Sequence, residues 1–375
     1  MWKKHFSQKQ NVITKSTKKL CVTLEKKAME RQNKLPRNGA WSILLLFLAI
    51  LVTACEEKPP ADTTPEFHHG SLRPECRYIV DPERTAYFEK PVVIAPDWSE
   101  PIMLAAPLTD QCPNDAVEIS RDGETIYFFW SPTVEGTYEE LLHIHTGTYF
   151  AERIGDNPGL FTEPRFFDLQ KGAEEGSVDG SLSFTPSGDS VYFHSTRAAN
   201  LGYQVTPPKD DYLDIYVAEI VDGEPGPAVN LGEPVNSVYL DGEHALSPDG
   251  RQLFITSTRP GGIGETDLWI SEIINGAWST PVNMGVPINT EEWEGQPGFA
   301  AGDPNTMYFV SRRDGPSSIY RSFFDGTDWS EPEMVITGYV GEPSLVYDGS
   351  IMYFVHVLVD DNGVFGSNIW YVTKQ

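Results

Sequence analysis

Residues 241–274 read DGEHALSPDGRQLFITSTRPGGIGETDLWISEII. A short run ending at Leu246 meets Ser247-Pro248-Asp249-Gly250, then an extended stretch (252–257, QLFITS), a glycine-rich loop and a second extended stretch (267–274, DLWISEII). Pro and Asp ahead of a glycine preset a tight turn, and the β-branched and aromatic residues around it favour strands. The stretch therefore reads as three consecutive strands.

The same text recurs. ISRDG at 119–123 precedes IYF at 126–128, FTPSG at 184–188 precedes VYF at 191–193, and LVYDG at 345–349 precedes IMYF at 351–354. Phe299 precedes MYF at 307–309 with its turn rebuilt across 300–305. Register is clearest between the middle copies: Asp214 and Asp267, Asn230 and Asn283, Asn236 and Asn289, and Gly242 and Gly295 all share an offset of 53 residues. A third strand opens at 214–216 (DIY), 267–269 (DLW), 318–320 (SIY) and 368–370 (NIW), with 141–145 as its degenerate copy in the first unit. A fourth carries FTEP at 161–164, WSTP at 278–281 or WSEP at 329–332, with EPGP at 224–227 as a weaker version. Tandem four-stranded units of about 40–50 residues predict an all-β chain forming a single β-propeller of five four-stranded blades, six being the alternative count. The fifth unit ends without its Trp-Ser-x-Pro strand, and an orphan WSEP stands at 98–101. Ring closure predicts that this N-terminal strand completes the last blade, with Trp98 in the sheet of Trp370.

The SPDG–FITSTR–DLW text of 247–269 resembles the Pro-Asp type of WD-like repeat found in TolB-family propellers, over roughly 98–373. NMGVPINT at 283–290 also resembles repeats that accompany peptidoglycan-binding domains. The TolB resemblance implies a binding or scaffold protein of the cell envelope. This chain departs from that family in showing five units rather than six and no room for an additional N-terminal domain.

Residues 1–54 hold 11 of the 28 Lys/Arg but only two of the 54 Asp/Glu, and end in an uncharged apolar run at 41–54. A basic flank, a short apolar core and small residues before a cleavage point read as a secretory signal, too short for a spanning helix. Its true start is expected at Met29. Val52-Thr53-Ala54-Cys55 resembles a bacterial lipobox, which implies lipidation at Cys55 and membrane anchoring. Residues 55–77 then read as a lipidated N-terminus and flexible tether, and 78–375 as the propeller domain. Glu56 after the cysteine favours the outer membrane, facing the periplasm or the cell surface. Beyond residue 54 the net charge is −35, which excludes nucleic acid as a partner and supports solubility. Cys76 and Cys112 remain as a pair in an oxidising compartment, read as a disulfide.

Alignment of the units brings Asp179, Asp241 with Glu243, Glu294 and Glu342 to the innermost strands, which line the central channel of a propeller. Glu118 falls in a column otherwise occupied by Ser183, Ala245, Gly298 and Ser344, so its carboxyl faces the channel without a built-in partner and its pKa is expected to rise. These acids form a ring able to grip a cation, a basic peptide or sugar hydroxyls, or they satisfy backbone amides where strands begin; the second reading is the simpler one. Glu118 with Glu243 or Glu342 is also the kind of pair a glycosidase uses. Arg197, Arg259 and Arg313 follow the second strand in three units and read as scaffold. His143 and His145 alternate on one strand but lack a third ligand, so no metal is assigned. The acidic balance leaves room for calcium without placing it, and no cofactor is expected. The expected function is a non-catalytic, monomeric propeller that binds an envelope protein or polysaccharide, the alternative being a carbohydrate-active hydrolase.

Overall fold

Each aromatic run after a turn becomes the second strand of an antiparallel blade. The computed structural model describes residues 90–109, 112–131, 147–171, 177–204, 213–360 and 363–375. The signal segment, Cys55, the tether, Cys76, His143 and His145 lie outside the described residues. Five sheets radiate from an axis, and their inner strands are Asn114–Ile119, Asp179–Phe184, Asp241–Leu246, Glu294–Ala300 and Val340–Leu345. The propeller is five-bladed. Apolar residues from facing sheets form one core between each pair of neighbouring blades. The described residues contain a single helical element, the short 3₁₀ turn Leu201–Gln204.

The ends close the ring. Ile102–Met103 pairs with the last strand, Met103 opposite Trp370, and Trp98 bridges Lys374 and shares a buried cluster with Trp370. The chain also supplies an unforeseen strand: Val92–Val93 adds to the outer edge of blade 4, opposite Ile336 and Thr337. The N-terminal segment therefore stitches two adjacent blades, covering an edge of each.

One strand assignment is corrected. The strand that pairs with Thr125–Trp130 is Gly147–Glu152, not 141–145. Tyr149 stands opposite Phe128 as Tyr216, Trp269, Tyr320 and Trp370 stand opposite Phe193, Ile255, Phe309 and Phe354. The aromatic at this position is what the core requires. Gly147-Thr148 in place of Asp-Ile hid it in the sequence.

The columns offset by 53 residues are a hydrogen-bond network. Asp267 accepts from the amides of Ile263 and Gly264 and from Asn283 Nδ2, while Asn289 joins Asn283 to both sides of the Leu268 peptide. Asp214, Asn230 and Asn236 repeat these contacts in blade 2. Each set holds the connection to the next blade against its own third strand.

Candidate functional site on the propeller axis

Every inner strand breaks its ladder at the same place. Register shifts between Asp115 and Glu118, Gly180 and Ser183, Gly242 and Ala245, Gly295 and Gly298, and Gly341 and Ser344. Within each break one residue takes positive φ: Ala116 (51°), Ser181 (49°), Glu243 (38°), Gln296 (51°) and Glu342 (56°). Such bulges add a residue and re-aim side chains. Left-handed backbone is costly for residues other than glycine, and its recurrence in five blades makes it a built-in feature of the fold. Glycine precedes the bulge in four blades, and space is shortest at Gly295, where a Cβ would sit 2.7 Å from Thr256 and from Trp293. Blade 1 places Asp115 there instead.

Backbone amides in the bulges reach side chains of the preceding blade. Ala116 N donates to Glu342 Oε2 at 2.5 Å, Glu243 N to His194 Nδ1 at 3.1 Å, Gln296 N to Thr256 Oγ1 at 3.0 Å and Glu342 N to Gln296 Oε1 at 3.2 Å. One level further along, Leu246 N donates to Ser183 Oγ and Ile119 N to Ser344 Oγ, both at 2.9 Å. Ser344 in turn donates to Glu118 Oε2 at 2.7 Å. The axis is thus a sequence of inter-blade clasps.

The six acids predicted for the channel divide evenly. Asp179, Asp241 and Glu294 sit where the inner strands begin and face the repeated arginines. Arg197 lies 3.6 Å from Asp179 and Arg313 3.6 Å from Glu294, while Arg259 bonds Asp241 through both Nε and a terminal nitrogen. The same guanidiniums donate to Leu169 O, to Val235 O and to Pro287 O and Ile288 O of the incoming connections. They also lie over aromatic rings, as Arg259 does over Trp269 at 5.5 Å. These three acids are scaffold.

Glu118, Glu243 and Glu342 are different. They line a cavity of about 30 Å³ on the axis together with Gln296, and no salt bridge reaches them among the described residues. Asp115, which the sequence reading missed, joins them by hydrogen bonding to Glu342. Burial pushes Glu118 up to about 8, only partly opposed by the Ser344 hydroxyl. Burial likewise raises Glu243 to about 7 and Asp115 to about 6, although Gln296 and the Glu342 hydrogen bond pull the other way. Glu342 rises well above the ordinary carboxyl value through burial and the charges of Asp115 and Glu243. Two carboxyls in hydrogen-bonding contact without a cation share a proton. Chemically the axis is a buried cluster of carboxyls that burial biases toward their neutral forms, with space for little more than water. Among the described residues no three His, Cys, Asp or Glu side chains are placed to hold a metal ion.

The far end of the axis, where the first and second strands turn, is crossed by Arg121. From blade 1 its guanidinium donates to Pro248 O of blade 3 at 3.0 Å and Ala301 O of blade 4 at 3.5 Å. Nothing in its ISRDG turn announced this. Cys112, at the opposite end, is buried and disulfide-bonded; its predicted partner Cys76 is outside the described residues.

A wider hollow of about 550 Å³ lies off the axis between blades 3 and 4, lined by Ile263, Val286, Pro287, Glu291, Arg313 and Glu331. Val286 is 77% exposed.

No protein-family model matches the sequence, and no curated protein is significantly similar to it. Solved structures that resemble it include TolB from Acinetobacter baumannii, at 13% identity and TM-score 0.40 over 72% of this chain and 56% of that one, so the chain spans little more than half of TolB. A protein of unknown function from Dyadobacter fermentans aligns at 12% identity and TM-score 0.46, over 75% of this chain and 100% of that one. A family 117 glycoside hydrolase from Zobellia galactanivorans aligns at 9% identity and TM-score 0.45, over 73% and 89%. The blade count rests on the strand pairing itself.

Proposed function

We propose that the chain is a lipid-anchored propeller of the bacterial envelope, held at Cys55, that binds a protein or polysaccharide partner on one face of the disc and performs no chemistry on it. The observation that carries this reading is the closed axis. Arg121 crosses one end and the acids occupy the middle, leaving about 30 Å³ where small-molecule sites have several hundred. The larger hollow, with exposed Val286 and Ile263, lies on the face between blades 3 and 4. An exposed apolar pair rimmed by Glu291, Glu331 and Arg313 suits a contact surface.

The test is capture from solubilised envelopes with the full lipidated chain, comparing wild type, Val286→Asp and the double variant Glu118→Gln, Glu342→Gln. Wild type and the axis variant are expected to retain the same envelope partners and Val286→Asp to lose them; the reverse pattern would move function to the axis. A hydrolase draws support from the burial of Glu118 and Glu243 beside one cavity, which raises both carboxyls toward the range a general acid needs. Release of reducing ends from envelope polysaccharide by wild type, abolished in the axis variant, would establish it in place of the binding reading.

A further inference from the structure

Val286 stands 77% exposed at a position that the preceding copy fills with a charge. The connections LGEPVN (231–236) and MGVPIN (284–289) fold alike. Asn236 N donates to Gly232 O at 2.9 Å and Asn289 N to Gly285 O at 2.8 Å, and the two glycines share positive φ of 63° and 67°. Glu233 is exposed in its turn, so this backbone asks for no apolar residue there. Nor is Val286 alone. Ile263, 44% exposed, lines the same hollow of about 550 Å³. Its loop is pinned to the hollow's floor: Glu265 N donates to Glu292 O at 3.0 Å, and a Cβ on Gly264 would sit 2.2 Å from Glu292 O and 2.4 Å from Thr290 O. An apolar pair held in water at a fixed place, one member of it where a glutamate satisfies the fold, marks a surface that something covers.

The charges of the hollow are one-sided. Arg313 is the single cation of its lining, and it is committed elsewhere, to the carbonyls of Pro287 and Ile288, to Ser311 and to Glu294. Glu291 and Glu331 line the same space from separate segments and are exposed. Neither makes a salt bridge among the described residues. The hollow therefore offers two free carboxylates beside two exposed aliphatic side chains, and its lining includes no aromatic ring.

We propose that this hollow receives a lysine or arginine side chain from a basic, apolar segment of a protein partner. The assignment rests on the binding reading above and decides between its two partner classes. Lysine and arginine carry an aliphatic stem beneath a charged head. The stem fits Val286 and Ile263, and the head fits Glu291 and Glu331. A polysaccharide suits the hollow less well: a sugar ring finds no aromatic platform, and an anionic chain meets two carboxylates on a body of net charge −26. That same field attracts a basic partner and speeds its encounter.

The experiment is calorimetric titration of the full chain in non-ionic detergent at about 0.15 M salt, where attraction between distant charges is screened. The probes are octapeptides alternating leucine with lysine, leucine with arginine and leucine with serine, and a neutral glucose hexasaccharide. Wild type is compared with Val286→Ser, with Glu291→Gln, Glu331→Gln, and with Asp156→Asn, Glu163→Gln, which removes two exposed charges from blade 1 instead. Thermal unfolding verifies that all variants fold. A basic peptide is expected to bind, about tenfold or more weakly in each hollow variant and within about twofold of wild type in the blade 1 variant. Equal losses in the blade 1 variant, wild-type affinity in both hollow variants, no basic peptide bound up to about 1 mM, or hexasaccharide binding lost in Val286→Ser would each overturn the assignment. Envelope capture with Val286→Asp separates the two readings. Capture lost in that variant without peptide binding keeps partner binding on this face and removes the cation. Peptide binding at the hollow with capture unchanged keeps the cation site and removes this face as the envelope contact.

Discussion

Asp241 and Glu243 lie two residues apart on one strand, both buried, and have opposite fates. Asp241 is fully buried and accepts hydrogen bonds from Arg259, Ser237 and Ser257. Glu243 has Gln296 and a cavity, and burial pushes it towards its neutral form. An arginine likewise faces Asp179 and Glu294 and not Glu118 or Glu342, although at Asp179 burial outweighs the Arg197 charge and still raises the carboxyl. Buried carboxyls become scaffold where the fold supplies a cation and proton carriers where it does not. For Glu243 and Glu342 what decides is the bulge, which turns its own residue toward the axis while the strand opening stays within reach of the arginine; Glu118 lies just past its bulge, where the ladder resumes.

The most severe way to break this contrast is to remove the cation. Arg259→Ala leaves Asp241 buried and uncompensated and is expected to destabilise the propeller by roughly 3–5 kcal/mol in chemical denaturation. Arg259→Lys should recover only part of this, because a lysine cannot bond Asp241 through two nitrogens while also donating to Val235 O. A loss below about 1 kcal/mol for Arg259→Ala would mean that the Arg259–Asp241 contact contributes no more than an exposed ion pair.

The converse change should stabilise. Glu118→Gln keeps an acceptor for the Ser344 hydroxyl and removes the titrating group. Since the folded pKa is raised to about 8 from 4.5, wild type has the full stability of the neutral acid below about pH 4.5 and loses it progressively up to about pH 8. The variant should match wild type at pH 4 and exceed it by roughly 2–3 kcal/mol at pH 8, allowing for the solvent contact that Glu118 retains through the cavity. Equal stability of the two proteins at pH 8 would show that Glu118 is not held neutral.

Asp115→Asn sharpens the shared proton. It removes a charge that raises Glu342 and should lower the Glu342 pKa, read from its carboxyl carbon chemical shift across pH 4–9. An unmoved Glu342 would mean that burial alone sets it. The effect on overall stability is expected to be small, about 1 kcal/mol, because an amide still hydrogen-bonds its neighbour.

Much of this was legible in the residues. The offset of 53 between Asp214 and Asp267, and its companions, established the repeat, and the orphan WSEP at 98–101 told how the ring closes. A further signal was present and unread: acid and arginine come as a pair, Asp179 with Arg197, Asp241 with Arg259 and Glu294 with Arg313. The blades that lack the acid, with Asn114 and Val340 in its place, also lack the arginine, having Pro132 and Leu358. That covariation alone would have moved three of the six acids from the channel to the scaffold. Asp115 was likewise visible as a carboxyl in a column of glycines. The bulges were not visible, because residues as unlike as Ala116, Glu243 and Gln296 adopt the same positive φ under tertiary constraint. Nor was Arg121, whose partners on blades 3 and 4 are brought to it only by closure of the ring.

Arg121 supplies the smallest and most local test. It spans the axis from blade 1 to carbonyls of Pro248 and Ala301, far in sequence, yet each is an ordinary hydrogen bond to a backbone oxygen. Arg121→Ala should therefore cost only about 1–2 kcal/mol in global stability. Its signature is expected elsewhere, in faster hydrogen exchange of Gly123, Gly250 and Gly349, the amides that close three of the turns around that end. Exchange raised at those turns, with the amides of Ala116 and Gln296 still protected, would show that the axis is closed twice and independently. If the variant instead exposes Ala116 and Gln296 together with the turns, the arginine and the acids are one structure, and the contrast between arginine-held scaffold and the acids of the axis extends to the end of the channel.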